Sequence, residues 1–478
     1  MRLRIFLVVF LLAVPRALAE GLPDLGEAAQ GAFTPQQERR LGESIMRDIR
    51  GDRSYYDDAE ATDFINNLGT RLASRSLEAR QDFDFFLIRE PQINAFALPG
   101  GFIGVNTGLI LAAQSESELA SVVAHEIAHV TQRHIARMIA QQKTGALTSL
   151  ATLAAALLLS RVSSQAAEAA AAFGTASVVQ NQLNFTRDNE READRVGLQI
   201  MERAGFDPRA AAVFFERMQR ATRVYETGAP SYLRTHPLTY ERIADIQNRT
   251  QGAGYKQVPD GLEFQLIRAK LRAQLETPTE AVAFFEASVA ERRFLSEAAS
   301  RYGLAASLVR LKNYARARKE LDAVRKLVPS NPIVENLYCE LVDGEQGVET
   351  ALACYRDAQR RHPSHRALVY GYINALLQAG RADAALKLVE DRLQLITSDY
   401  RLYLLQARSY AALNRRLAQH RAQAEAYVRM GNLTGAVEQL QIGLKSGDGD
   451  FYQLSSAEAR MRELRRLDEE LRAEARKQ

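Results

Sequence analysis

The sequence has no tryptophan, two cysteines, and no apolar run long enough to span a bilayer as a helix among its 478 residues. Two cysteines cannot build a disulfide scaffold, so the folded state must rest on packing. A strong charge of one sign is also missing: 62 Lys+Arg stand against 58 Asp+Glu, a formal charge of +4. Three of those positive charges (Arg2, Arg4 and Arg16) lie in residues 1–19, which hold no acid, so the remainder carries +4 − 3 = +1. Nothing in that balance supports a nucleic-acid partner. Hydrophobic residues at 46% and charged residues at 25% exclude a disordered or fibrous chain. At roughly 100–200 residues per domain, the length allows about two to four domains.

The first residues read as a targeting segment. A basic start, Met1 to Arg4, precedes an apolar run from Ile5 to Val14 and the small-residue pattern Ala17-Leu18-Ala19. Ten apolar residues fall short of the roughly 20 that a spanning helix needs, so residues 1–19 read as a cleaved secretory signal peptide.

Residues 20–255 read as one α+β domain, mostly helical. Apolar residues at three- and four-residue spacing predict helices over Pro35 to Asp48 and Ala59 to Leu77. Phe83 to Ile88, Asn94 to Leu98 and Gly101 to Asn106 predict three strands, the last two separated by the Pro99-Gly100 turn signal. A helix is predicted from Glu116 to Gln142, with Ser115 and Glu118 in capping-box spacing. Asn94, Ala95, Phe96 and Ala97 form either an edge strand that pairs with an extended substrate or a purely structural strand. From Thr144 to Thr186 only Arg161 and Glu168 are charged. That stretch, densest over residues 146–160, reads either as a hairpin that touches a membrane surface or client, or as a buried core hairpin.

After Gly261 the pattern is helical only and repeats. Ala317, Ala351 and Ala385 are 34 residues apart, as are Pro329 and Pro363, and Tyr302 and Tyr370 are two periods apart. A period of about 34 residues of paired helices is the tetratricopeptide signature. The register holds through 298–331 and 332–365, loosens at 366–399, is broken by one extra helix at 400–416, and resumes at 417–450. A degenerate repeat covers 262–297, and residues 451–478 supply a charged capping helix. Cys339 and Cys354 fall on facing helices of one repeat, either as a disulfide or as two small packing residues.

The chemistry is concentrated in His125-Glu126-Ile127-Ala128-His129. Residues at i and i+4 share a helix face, so His125 and His129 can offer two imidazoles to one zinc ion, with Glu126 beside them as general base. A catalytic zinc needs a third protein ligand. Glu190 and Asp194 share a face of a helix 61 residues further on, which reads either as the source of a ligand (Glu190, or Glu192 as the alternative) with Asp194 as acceptor for a histidine N–H, or as a solvated charged helix with Glu–Arg pairs. Of seven histidines, His236 is the unassigned one in this domain away from the motif helix. It reads either as facing the metal, as an oxyanion donor or a removable fourth ligand, or as a loop histidine with a local hydrogen bond. His134 falls off the ligand face and reads as structural; His362, His365 and His420 lie in the repeats.

The pairing of HEIAH with a later Glu-x-x-Ala-Asp helix resembles the zinc metallopeptidase family of the CAAX prenyl proteases and HtpX-like enzymes. Asn94 to Gly101, Val105 to Gly108 and Arg187 to Asp194 agree with it. Taken with the signal peptide and the repeats, essentially the whole chain resembles the periplasmic members that enhance β-barrel assembly. The resemblance implies a zincin-like domain followed by an all-α tetratricopeptide-repeat solenoid, and one Zn2+ per chain held by His125, His129 and Glu190. It also implies a catalytic Glu126, a supporting Asp194, and periplasmic work on unfolded or misassembled outer-membrane proteins, with the repeats meeting the assembly machinery. The rival reading is a chaperone-like scaffold whose protease site is latent.

Overall fold

A computed structural model describes residues 33–77, 81–141, 187–224, 231–252 and 258–477. The expected signal peptide (1–19) and the apolar stretch around 146–160 lie outside the described residues. No helix among the described residues is long and apolar enough to cross a membrane.

The first domain is built on a three-stranded sheet of β1 (Asp84–Ile88), β2 (Ala95–Leu98) and β3 (Phe102–Asn106), in the order β1-β3-β2. β1 runs parallel to β3, while β2 pairs with it antiparallel through Ala95↔Val105 and Ala97↔Ile103. Gly100 and Gly101 make the β2–β3 turn at positive φ, 77° and 89°. A Cβ on Gly101 would come within 2.2 Å of the Asp82 carbonyl oxygen, so only glycine fits there.

Side chains alternate across the sheet. Phe86, Ile88, Phe96, Leu98 and Phe102 pack on Ile45, Met46 and Ile49 of α1 (Pro35–Gly51). Phe85, Leu87, Ala95, Ile103 and Val105 pack on the other face, with Phe64, Ile65 and Leu68 of α2 (Ala59–Ala73) and with Val122, Val123 and Ile127. Those last three belong to α4 (Glu116–Thr131), which follows the short α3 (Thr107–Ala112). Every residue of α4 from Ser117 to Val130 is buried. Ser115 caps it by accepting from the Glu118 N–H at 3.2 Å. The reciprocal half of the expected capping box is replaced: Glu118 Oε2 accepts from the Gln114 N–H at 2.7 Å, and the carboxylate also pairs with Arg217.

The expected single helix from 116 to 142 is interrupted. It ends at Thr131, and α5 (His134–Gln141) starts after Arg133, whose φ is 52°. The left-handed turn is held from outside: the Arg133 guanidinium bonds the Glu38 carboxylate at 3.0 Å and the Phe33 carbonyl at 2.6 Å. The domain is completed by α6 (Arg187–Arg203), α7 (Arg209–Val224), α8 (Ser231–Thr235) and α9 (Tyr240–Gln251).

Helices alone follow, from α10 (Leu262–Leu275) and α11 (Pro278–Ala290) through the pairs α12/α13 (Glu297–Arg310, Tyr314–Leu327), α14/α15 (Pro332–Gln346, Val348–Arg361) and α16/α17 (Arg366–Gln378, Ala382–Leu393). The extra helix expected at 400–416 is α18 (Tyr400–Ala412), which packs on the helices before and after it; α19 (Arg416–Met430), α20 (Leu433–Leu444) and the long α21 (Phe451–Lys477) end the array. Cys339 and Cys354 join α14 to α15 through a disulfide.

The array folds back onto the first domain. The acidic segment before and within α2 meets its basic groups: Asp57 pairs with Arg401, Asp58 and Glu60 with Lys270, and Asp63 with Arg366. Tyr56 and Gln274 are hydrogen-bonded, and His365 Nε2 lies 3.7 Å from Glu60 Oε1.

Candidate metal centre

Two helices build the centre. α4 presents His125 and His129 on one face, and α6 crosses it closely enough to bring Glu190 and Asp194 over them. Gly197 permits the approach, since a Cβ there would meet the His125 backbone nitrogen at 3.2 Å. One ligand atom each from His125, His129, Glu190 and His236 lies within 4.8 Å of the others, and all four residues are buried.

The Nε2 atoms of His125 and His129 are 3.0 Å apart. Glu190 Oε2 lies 3.4 Å from His125 Nε2, and its Oε1 lies 3.4 Å from His129 Nε2. His236 enters from the end of α8, with Nδ1 2.9 Å from Glu190 Oε1 and 3.4 Å from His125 Nε2. Three imidazoles and a carboxylate turned on one point match the nitrogen and oxygen donors that zinc selects. Glu126 stands beside them, fully buried, with its Oε1 3.4 Å from His236 Nε2. Burial pushes its carboxyl up from the usual range, only partly opposed by His236 and His125. A buried carboxylate next to the four donors is placed to exchange a proton with a group bound there.

Asp194 stands behind the ligands. Its Oδ1 lies 3.0 Å from His125 Nδ1, so it can accept the proton of the ring nitrogen on the far side from the four-donor cluster. Burial raises its carboxyl, yet Arg242 and His125 outweigh burial and hold it below the usual range. Glu192 turns away from the four-donor cluster and bonds His134 Nε2 at 3.1 Å and Arg137 at 2.8 Å.

Arg242 and Tyr232 carried no sequence signal. Arg242 grips Asp194 with two bonds of 2.7 and 2.8 Å and reaches Glu190 Oε2 at 2.7 Å. An arginine following Glu-x-x-Ala-Asp by about 50 residues belongs to no short motif. Its burial at 4% exposure beside two carboxylates is visible only in three dimensions. Tyr232 stacks on His236 with ring centroids 4.7 Å apart. The α8 segment also closes on the chain just before β2, where the Tyr232 N–H bonds the Ile93 carbonyl at 3.2 Å. β2 forms one edge of the sheet beside α4, and the Ala97 backbone N–H acts on the Glu126 carboxylate.

Comparisons with known proteins give the family of the chain. Residues 60–250 match peptidase family M48, and residues 341–401 match a tetratricopeptide repeat. The beta-barrel assembly-enhancing protease of Escherichia coli (strain K12) is 33% identical over 455 residues, covering 94% of this chain and 92% of that protein. A putative beta-barrel assembly-enhancing protease of Vibrio cholerae is 34% identical over 371 residues, covering 77% of this chain and 76% of that one. The mitochondrial metalloendopeptidase OMA1 of Schizosaccharomyces pombe is 34% identical over 213 residues, covering 44% of this chain and 60% of its own.

Proposed function

The chain belongs to peptidase family M48 and is a metalloendopeptidase with tetratricopeptide repeats; from that premise we propose that it is a zinc-dependent endopeptidase of the periplasm. Its proposed substrates are misassembled outer-membrane proteins, whose peptide bonds it hydrolyses and whose assembly it promotes through the repeat array. The observation that carries the reading is the convergence of His125, His129, Glu190 and His236 beside the buried Glu126 carboxylate.

His125, His129 and Glu190 would hold the ion. Zinc, when bound, supplies Lewis-acid activation of water and of the scissile carbonyl. Glu126 takes the proton of the attacking water on a carboxylate oxygen and passes it to the leaving amide nitrogen. Asp194, fixed by Arg242, accepts the His125 Nδ1 proton and so keeps Nε2 for the metal. An extended substrate pairs with β2 along Asn94 to Ala97, which gives backbone recognition tolerant of sequence. His236 acts as a removable fourth ligand: with its ring among the donors the site is latent, and its departure opens the position that substrate and water need.

Latency also supports the second reading, a scaffold that binds clients while the protease rests. Casein cleavage by wild type, by wild type with chelator, and by Glu126→Gln separates the two. The endopeptidase reading expects cleavage only in the first, held low by His236 and faster in His236→Ala. Equal turnover in all three would overturn it. Client binding retained by Glu126→Gln is the expected sign of the scaffold role.

A further inference from the structure

His134 reads from the sequence as structural, because a straight helix would carry it off the ligand face. The break at Arg133 changes this. The left-handed residue turns α5 so that His134, fully buried, points back at the motif. Its Nδ1 lies 2.8 Å from His129 Nδ1. Its Nε2 lies 3.1 Å from Glu192 Oε2, and Glu192 Oε2 accepts from Arg137 at 2.8 Å. Arg137 is also bonded to Asn189 Oδ1 at 2.8 Å, on the same helix as Glu192.

Only one assignment of protons satisfies these contacts together with a metal on His129 Nε2. A metal-binding Nε2 has no proton, so the proton of His129 sits on Nδ1. Two ring nitrogens in hydrogen-bond contact need one donor and one acceptor, so His134 Nδ1 accepts. The His134 proton then sits on Nε2, where the Glu192 carboxylate accepts it. A free carboxylate can only accept, and Arg137 keeps it in place. The two metal histidines are thus supported differently: His125 directly by a carboxylate, His129 by a neutral imidazole that passes the orientation on from a carboxylate.

We propose that His134, Glu192 and Arg137 form a relay of positioning residues that fixes the ring and the tautomer of His129, making it ready to bind the metal. This rests on the zinc reading of the centre.

The test titrates zinc into the metal-free full chain against a chromophoric chelator, and records the visible bands of the cobalt(II)-substituted protein. Loss of such outer support commonly costs about 10–100-fold in metal affinity. His134→Phe is expected to weaken zinc by that factor. Glu192→Leu removes the acceptor from a part-exposed position and is expected to weaken zinc about tenfold and shift the cobalt bands. Glu192→Gln, whose side-chain carbonyl still accepts, is expected to stay near wild type. The metal-free Glu192→Gln variant should melt with wild type, whereas Glu192→Leu, which leaves the buried His134 Nε2–H without its acceptor, should melt lower, so the cobalt bands of the folded protein carry the test. Should His134→Phe fail to fold, the Glu192 pair decides. Wild-type affinity and wild-type bands in Glu192→Leu, or equal weakening in Glu192→Gln and Glu192→Leu, would overturn the relay. Failure of the wild-type protein to bind zinc would instead overturn the reading of the centre itself.

Discussion

The junction between the two domains should give the protein a hidden pH dependence, exposed by one substitution. Glu60 is buried at the start of α2 against Lys270, with Asp58 and His365 beside it. Burial pushes its carboxyl from 4.5 up to about 7, against the pull of Lys270. Burial, with Lys270 nearby, pushes His365 from 6.5 down to about 4. Between pH 4.5 and 7 the folded chain holds a proton on Glu60 that the unfolded chain has released, so this group's contribution falls as pH rises. Between pH 4 and 6.5 the unfolded chain holds a proton on His365 that the folded chain lacks, so that contribution rises with pH. At about 1.4 kcal/mol per unit, each shift is worth roughly 3 kcal/mol, with opposite sign. In the wild type they offset each other from about pH 4.5 to 6.5. Glu60→Gln removes one side of the balance. The stability of wild type relative to Glu60→Gln should therefore fall by about 3 kcal/mol between pH 4.5 and 7.5, measured by urea unfolding followed at the helical circular-dichroism band with zinc held constant. His365→Gln should show the opposite trend. A difference between wild type and Glu60→Gln that does not change with pH would refute the reasoning.

Three further outcomes follow from the geometry. Gly197→Leu should push α6 off α4 at His125, costing about 1–3 kcal/mol of stability and most of the metal affinity, while Gly197→Ala should cost less; calorimetry and zinc titration read both. Arg242→Ala strands the carboxylates of Asp194 and Glu190 in the interior and should destabilise the metal-free protein by about 3–5 kcal/mol, and Arg242→Lys should not restore the two-bond grip, as thermal unfolding can check. Replacing both Cys339 and Cys354 by alanine opens a link across 15 residues and should cost about 3 kcal/mol, read as a lower melting temperature that reductant does not lower further.

The parts legible in the sequence were those whose cause is local. The spacing of His125 and His129, the capping serine, the Pro99-Gly100 turn and the 34-residue period each act over a few residues or repeat until unmistakable. The missing parts depend on distant partners. Arg133 adopts a left-handed conformation because Glu38 and the Phe33 carbonyl, some 95 residues earlier, hold its guanidinium; periodicity alone continues the helix through it and gives no sign that His134 meets His129. Arg242 is invisible for the same reason, since its importance comes from the two carboxylates it meets. The clasp of Asp57, Asp58, Glu60 and Asp63 on the array could not be foreseen from an ordinary acidic helix start.

X-ray absorption at the zinc edge, on protein carrying one equivalent of zinc, tests the central claim most directly. The account predicts three imidazole nitrogens and one carboxylate oxygen in the wild type. In His236→Ala it predicts one nitrogen replaced by an oxygen, with the metal retained. A wild-type site with two imidazoles or fewer, or a His236→Ala spectrum identical to wild type, would contradict it.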